Sequence, residues 1–386
     1  MSSRSPADRA VAELAARSSA RPDGVWTAPG RVNLIGEHVD YTGGRCLPMA
    51  LTRVTAAAVR RRDDDRVLMS SDDPEAEPYE GRVGMLGPGS VDGWAAYVAG
   101  TLWALQEAGI DVPGLDIAVA SDVPLGAGLS SSASLECAVA LAAAELSGRA
   151  DEPSLRHLMV QAAIRAENEV VGANTGGMDQ AVAMLAEDGA ALLIDTKDFS
   201  AEPVRLGLAE AGLQLLVIDT RVRHALADGQ YGQRRADCER AAELLGLRWL
   251  SDATLADVDR LADPRLRART RHIVTENQRV DTVVELVRAG RVADIGPSLD
   301  GSHASLRDDF EVSAVELDVV VEAARAAGAL GARMVGGGFG GSAIALVPDA
   351  AVAAVSEAVV RACRERGLTE PGTLPVTSGP AARRLS

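Results

Sequence analysis

The sequence predicts a mixed α and β protein, and three observations carry that expectation. Segments that alternate apolar with small or polar residues, as strands do, are interleaved with segments whose apolar residues recur at helical spacing. The chain has 386 residues, 47% of them apolar, enough to bury the cores of two domains. One strand pattern also feeds, through a turn of small residues, directly into a helix pattern over Pro124 to Glu136.

In order, a weakly amphipathic helix is expected from Arg9 to Ala20, closed by Arg21-Pro22-Asp23-Gly24. A strand-like run then starts at Val25 and becomes dense in polar groups toward Tyr41. Leu47 to Val59 alternates like a strand, and the acidic, proline-bearing run Asp63 to Pro78 reads as a surface connection. Trp94, Val98, Leu102 and Leu105 mark a helix over Trp94 to Ala108, and Leu115 to Ala120 reads as a short strand. Leu135, Val139, Ala142, Ala143 and Leu146 keep helical spacing, as do Leu155, Leu158, Met159, Ala162, Ala163 and Ala166. Ala190 to Ile194 and Leu213 to Ile218 read as strands, Arg221 to Cys238 as a polar segment holding His224, Tyr231, Arg234 and Arg235, and Ala241 to Ala289 as helical. Gly301 to Phe310 reads as a polar turn, Val315 to Ala327 as a helix, Ser342 to Val347 as a strand, and Thr373 to Leu385 as strand-like.

The turn Gly126-Ala127-Gly128-Leu129-Ser130-Ser131-Ser132-Ala133-Ser134 sits where a helix begins. Free backbone N–H groups and the positive end of the helix dipole meet at such a point, which favours an anion. Gly126 and Gly128 permit close approach to the backbone, and serine hydroxyls bond phosphate oxygens or a hard cation such as Mg²⁺. A serine-capped helix after a glycine turn is the plainer alternative, which the density of small residues outweighs. A Walker loop needs a lysine after its last glycine, and a protein kinase needs a strand lysine paired with a helix glutamate. Lys197 is the single lysine of the chain. Phosphates must therefore be managed by backbone, hydroxyls, metal and arginine.

Two further polar constellations stand out. Glu37, His38 and Asp40 crowd into an otherwise apolar run, as a set that could chelate sugar hydroxyls or a metal, or simply as a polar loop. Glu167 and Asp179 bracket a glycine-rich turn, either as metal ligand and general base or as neighbours of a glycine C-cap and an aspartate N-cap. Gly336-Gly337-Gly338-Phe339-Gly340-Gly341 matches a dinucleotide fingerprint on paper, but a strand pattern follows it where a helix is required. It reads instead as a glycine turn that could close over phosphates.

A formal charge of −16 argues against nucleic acid or an anionic membrane as partner. No apolar run is long enough to span a bilayer, and the opening Met1 to Pro6 lacks the apolar core of a signal peptide. Cys46, Cys137, Cys238 and Cys363 are widely spaced and read as reduced thiols. A cytoplasmic protein is expected.

With these stretches assembled, the chain closely resembles the galactokinase family, of the superfamily of small-molecule kinases that includes homoserine, mevalonate and phosphomevalonate kinases. The segments Gly30 to Tyr41, Pro124 to Glu136, Glu167 to Gln180 and Gly336 to Ser342 carry the resemblance, with weaker similarity over Arg221 to Glu239, Thr275 to Arg279 and Ser302 to Asp318. It implies an α+β protein of two lobes with the active site between them. The N-terminal lobe, residues 1–185, would resemble the second domain of ribosomal protein S5, and the C-terminal lobe, residues 186–386, would be ferredoxin-like. The implied activity is transfer of the ATP γ-phosphoryl group to the anomeric hydroxyl of α-D-galactose, as in galactose catabolism. By position, Asp179 resembles the catalytic base and Arg31 the transition-state stabiliser. Glu37, His38, Val39, Asp40, Gly176 and Tyr231 resemble the sugar site, and Gly126, Ala127, Gly128, Leu129, Ser130, Ser131 and Ser132 the nucleotide loop. Ser132 and Glu167 occupy the magnesium-ligand positions, Glu167 being preferred to Glu169 for its separation from the aspartate. The implied partners are galactose and ATP alone, with the chain a monomer. Alternatives are a kinase for N-acetylgalactosamine or another sugar, and a sugar- and ATP-binding regulator without catalysis. Arg31, Asp179 and the unbroken serine run weigh against the latter. Thr175, Gly177 and Val335 depart from the family's usual cysteine, isoleucine and threonine, which bears on pocket shape.

Overall fold

The computed structural model describes residues 4–18, 21–149, 153–173, 175–223 and 227–386. A six-stranded sheet runs in the order β13 (Arg383–Arg384), β1 (Gly24–Asn33), β3 (Pro48–Arg61), β6 (Leu115–Ser121), β4 (Arg66–Ser71) and β5 (Tyr79–Arg82). Its pairs are antiparallel except β4 with β6. Side chains alternate across it: Val25, Ala56, Ala58, Ala118 and Ala120 face helix α1 (Pro6–Ser18) through Ala10 and Leu14. The small alanines let α1 lie close to the strands. Trp26, Ala57, Val59 and Ile117 face the other way, into the main core with α2 (Trp94–Glu107), α3 (Ser131–Leu146), α4 (Pro153–Arg165) and α5 (Met178–Leu185).

A three-stranded sheet pairs β2 (Arg45–Cys46), β7 (Ala190–Asp195) and β8 (Ser200–Arg205). A four-stranded sheet has the order β10 (Gly331–Val335), β11 (Gly340–Pro348), β9 (Leu213–Arg223) and β12 (Gly372–Val376). The remaining helices are α6 (Ala227–Leu245), α7 (Leu255–Val258), α8 (Pro264–Arg288), α9 (Gly296–Asp308), α10 (Val315–Ala326) and α11 (Val352–Glu365). An apolar cluster that includes Val32, Leu47, Ala127 and Leu129 continues into Leu215, Val217, Ile344 and Leu346. The turn leading into α3 is thus rooted in the core shared by the first and last sheets.

The C-terminal stretch divides between the two. Thr373 to Val376 pair with β9, whereas Arg383 and Arg384 pair with Thr27 and Trp26 of β1. Arg156 binds the carbonyl oxygens of Met184 and Ala382, at 2.6 and 2.9 Å, and ties this return to α5.

Three sequence expectations are corrected. Residues 63–78 are not merely a surface connection, because they contain β4, where Val67 and Met69 alternate with Leu68 and bury against the core; the charges around them mask the period. Gly301 to Phe310 is largely the end of α9, with Leu299, Ser302, His303 and Leu306 forming its buried face. Its polar members find partners in neighbouring elements: Ser302 donates to Glu276 at 2.8 Å, and His303 Nδ1 accepts from the Met334 N–H at 3.3 Å. The polar segment Arg221 to Cys238 becomes mostly helix, α6, because Arg234 donates to the carbonyl oxygens of Phe310 and Glu311 while Cys238 and Ala241 enter the core. His224, and the Ser19 and Ala20 end of the first helical pattern, lie outside the described residues.

Candidate active site

The site is built where β1 leaves its sheet. The register of β1 on β3 shifts between Pro29 and Arg31, a bulge of the kind that re-aims a side chain. The Arg31 N–H turns to the carbonyl of Leu129 at 3.0 Å. Gly30 makes this possible, since a Cβ there would stand 2.7 Å from the Leu129 carbonyl oxygen and 2.8 Å from Val123. Strand and turn therefore touch through a position with no side chain.

From that bulge Arg31 reaches across to α5. Its Nε and Nη2 donate to the two carboxylate oxygens of Asp179 at 2.8 and 2.7 Å, and its Nη1 to the Gly128 carbonyl at 2.5 Å. Such a bidentate fork fixes both partners in one plane. The guanidinium is 7% exposed, and although burial opposes its charge, Asp179 and then Glu37 hold its pKa above the ordinary value. Ser130 completes the cluster. It adopts the left-handed conformation at φ 60° and, instead of capping α3, donates its hydroxyl to Asp179. Among the described residues no side chain caps α3, so its first N–H groups stay available to an anion. Asp179 is not an N-cap either. Gly177 caps α5, while Gly172, at φ 79°, is the glycine C-cap of the preceding helical turn.

Beside the fork lies a cavity of about 180 Å³, lined by Arg31, Glu37, His38, Asp40, Glu167, Thr175, Met178, Asp179, Tyr231, Gly336 and Gly337. It is smaller than pockets for drug-sized ligands, about 300–1,000 Å³, and suits a small polar molecule. Its acids crowd one another. Burial, then Asp179 and Glu37, push the Asp40 carboxyl up to about 7. Burial and Asp179 likewise push Glu167 up to about 7. Burial first, then His272, lowers His38 to about 3, so its ring stays neutral at working pH. That ring is fully engaged: Nε2 faces the Gly337 carbonyl at 3.2 Å, which makes it the donor, and Nδ1 accepts from the Tyr41 hydroxyl at 2.8 Å. His38, at φ 61°, walls the cavity with Tyr41, Tyr231 and Phe310 around it.

A pH dependence follows. A carboxyl whose folded pKa lies above its ordinary value is protonated below about 7 and is then a poorer acceptor for ligand hydroxyls. The kcat/KM for the neutral substrate is expected to fall as pH drops through about 7, and Asp40→Asn to shrink that inflection to the share of Glu167. The same sign makes ionised Asp40 a cost to folding above about 7 that fades toward its ordinary pKa. Asp40→Asn should therefore melt higher than the wild type at pH about 8. An unchanged profile in this variant would exclude Asp40 as the titrating group.

The chain N-terminal to Gly172 is a π-helical turn, Ala166–Val171, continuous with α4. It directs Glu167 inward, 8% exposed, with a hydrogen bond to Ser132. Glu169 points to the surface and pairs with Arg165 at 2.7 Å. The structure thus separates the two candidate carboxylates.

Sequence reasoning missed the support behind Glu37. Arg333, fully buried on β10, lies 2.9 Å from Glu37 and donates to the carbonyls of Asn33 and Leu34 at 3.0 Å. The Glu37 carboxylate also accepts from the Gly336 N–H at 2.9 Å. Glu276 on α8 accepts from the N–H groups of Gly36 and Glu37 at 3.0 and 3.3 Å and from Ser302. Burial opposes its charge, but Arg279, His272 and Arg333 hold it down at about 2. The signal was present, since Glu276 and Arg279 are charged residues on the buried side of a helical pattern.

Other expected site residues stand further back. Val39 stands behind the cavity wall: its side chain is fully buried in the core, and its carbonyl accepts from the N–H groups of Thr42 and Gly44. Gly176 lies behind Asp40, where a Cβ would meet Oδ2 at 2.2 Å. Ala127 and Leu129 root the turn in the core, leaving Gly126, Gly128 and the serines at its surface. The glycine turn after β10 packs on the same loop, with Ser342 donating to the Ala127 carbonyl at 2.6 Å.

Family models match three parts of the chain: the galactokinase galactose-binding signature over residues 15–61, the N-terminal domain of GHMP kinases over 96–187, and their C-terminal domain over 283–365. A galactokinase of Streptomyces coelicolor is 50% identical over 95% of each chain, and one of Mycobacterium tuberculosis is 42% identical over 92% of this chain and 98% of its own. The chain belongs to the galactokinase family. A crystal structure of Lactococcus lactis galactokinase complexed with galactose superposes with a TM-score of 0.88 at 32% identity, over 94% of this chain and 95% of that one. The galactokinase fold is shared more widely: a Methanococcus jannaschii mevalonate kinase aligns over 92% of this chain with a TM-score of 0.66 at 15% identity.

Proposed function

We propose that this galactokinase-family protein transfers the γ-phosphoryl group of ATP to the anomeric hydroxyl of α-D-galactose. The observation that carries the reading is the Arg31–Asp179 fork, which borders both the small polar cavity and the uncapped start of α3. Phosphoryl transfer asks mainly for positioning and charge neutralisation. The sugar sits in the cavity with its hydroxyls on Asp40, Glu37 and Tyr231, and its anomeric hydroxyl gives its proton to Asp179. Arg31 holds Asp179 in line and offsets charge on the transferring group. The phosphates rest on the N–H groups that open α3 and on the serines of the turn.

Ser132 and Glu167 fit a divalent cation. Both are hard oxygen donors whose side chains meet, and burial and then Asp179 push Glu167 up to about 7, a shift that a bound cation would oppose. Among the described residues no cluster of three or more His, Cys, Asp or Glu could hold a metal. Few protein ligands suit Mg²⁺ that arrives on a nucleotide, whose negative charge it would neutralise.

We further assign the sequence near Leu185 as the divide between the lobes, and a cytoplasmic monomer as the working form. Buried free thiols at Cys46, Cys137, Cys238 and Cys363 support a reducing compartment, and among the described residues no helix is long and apolar enough to cross a membrane. Incubation with Mg²⁺-ATP and a hexose panel, followed by phosphorus NMR, should yield a single anomeric phosphate from galactose. A phosphate on a primary hydroxyl, or no transfer to galactose, would refute the assignment.

A further inference from the structure

Behind Glu167 lies a polar group that the reaction as described does not use. Gln180, fully buried on α5 next to Asp179, has one side-chain amide nitrogen and two carboxyl partners: Glu167 Oε2 at 2.6 Å and Glu136 Oε2 at 3.1 Å. Glu136 is itself fully buried and stands one helical turn beyond Ser132 on α3. Its Oε1 and the Gln180 Oε1 have no hydrogen-bond partner among the described residues. Burying two carboxyl groups and an amide with open valences is costly and needs a compensating use. An amide N–H₂ has two donors at a fixed angle, so holding both leaves Glu167 little rotational freedom.

We propose that Gln180, backed by Glu136, is a positioning residue that aims the Glu167 carboxylate at the divalent cation shared with Ser132. This rests on the reading of Ser132 and Glu167 given above. The arrangement makes α5 a common carrier: Asp179 faces the sugar and Gln180, the next residue, orients the cation side, so one helix sets the spacing between base and metal ligand. Burial, and then Glu167, push the Glu136 carboxyl well above its usual range. Gln180→Met keeps the length of the side chain and removes both donors.

The test is Mn²⁺ binding to the enzyme complexed with a non-hydrolysable ATP analogue, followed by the EPR signal of free Mn²⁺. Gln180→Met should weaken Mn²⁺ binding about 10–100-fold, the effect typical of losing an outer partner of a metal ligand. Galactose affinity measured without metal should stay at the wild-type value. Wild-type Mn²⁺ affinity in Gln180→Met, with only a lower melting temperature, overturns the proposal if Glu167→Gln weakens Mn²⁺ binding alongside it. Wild-type affinity in Glu167→Gln itself overturns the cation reading, and the proposal falls with it. Should Gln180→Met not fold, Glu136→Leu removes the acceptor behind the amide and should loosen Mn²⁺ binding, with Glu136→Gln restoring it. Unchanged binding in a folded Glu136→Leu overturns the proposal equally.

Discussion

Asp179→Asn is expected to lower kcat by about 10²–10⁴ while leaving the dissociation constant of ATP close to the wild-type value. Asparagine keeps the shape of the side chain but cannot accept a proton or take both bonds of the Arg31 fork. Nucleotide affinity should survive because the phosphate-facing elements, the start of α3 and the turn before it, keep their anchorage in the core through Ala127, Leu129 and Ser342 when the bond of Ser130 to residue 179 is altered. Turnover measured at saturating galactose, beside calorimetric titration with ATP in the absence of sugar, separates the two quantities. Wild-type turnover in this variant would remove Asp179 from the role of base.

Arg333→Met is expected to destabilise the protein by about 3–5 kcal/mol, the range for removing one partner of a buried ion pair. Glu37 would be left 3% exposed without its guanidinium, and the carbonyls of Asn33 and Leu34 would lose their donor. Adding Glu37→Gln should recover much of the loss, since an amide leaves no uncompensated charge, yet the doubly substituted protein should bind galactose poorly. Chemical denaturation of the wild type and the two variants, with a galactose titration of the double variant, measures this. Equal stability of the single Arg333 variant and the wild type would mean that the buried pair carries no stability.

How much of this was legible before the fold was known depended on where polarity was exposed. The start of α3 could be read because its glycines and serines are contiguous and flanked by clean strand and helix periods. Glu37, His38 and Asp40 could be read because polar residues in an apolar run demand a partner. The partners themselves could not. Arg333 and Glu276 lie about 240 residues or more beyond Glu37, and although Glu276 falls on the apolar side of its helical pattern, nothing local says that either residue serves Glu37. The same ambiguity hid β4, α6 and α9. Their inward polar side chains, such as Ser70, Arg234 and Ser302, interrupt the apolar period that announces an element. The His38 result has a different origin. Its sequence neighbours gave it the look of a free ligand, whereas both ring nitrogens are already occupied by Tyr41 and Gly337.

Pairing of Arg383 and Arg384 with β1 sets a timetable for biosynthesis. The sheet that supplies Arg31 has one margin uncovered until those two codons have been translated, because its edge strand comes from far along the chain. Domains that fold during synthesis ordinarily close from the N-terminus. Here an early-made sheet waits for residues made long after it, and a ribosome-bound chain short of them offers the unpaired N–H and C=O groups of β1 to any neighbouring strand.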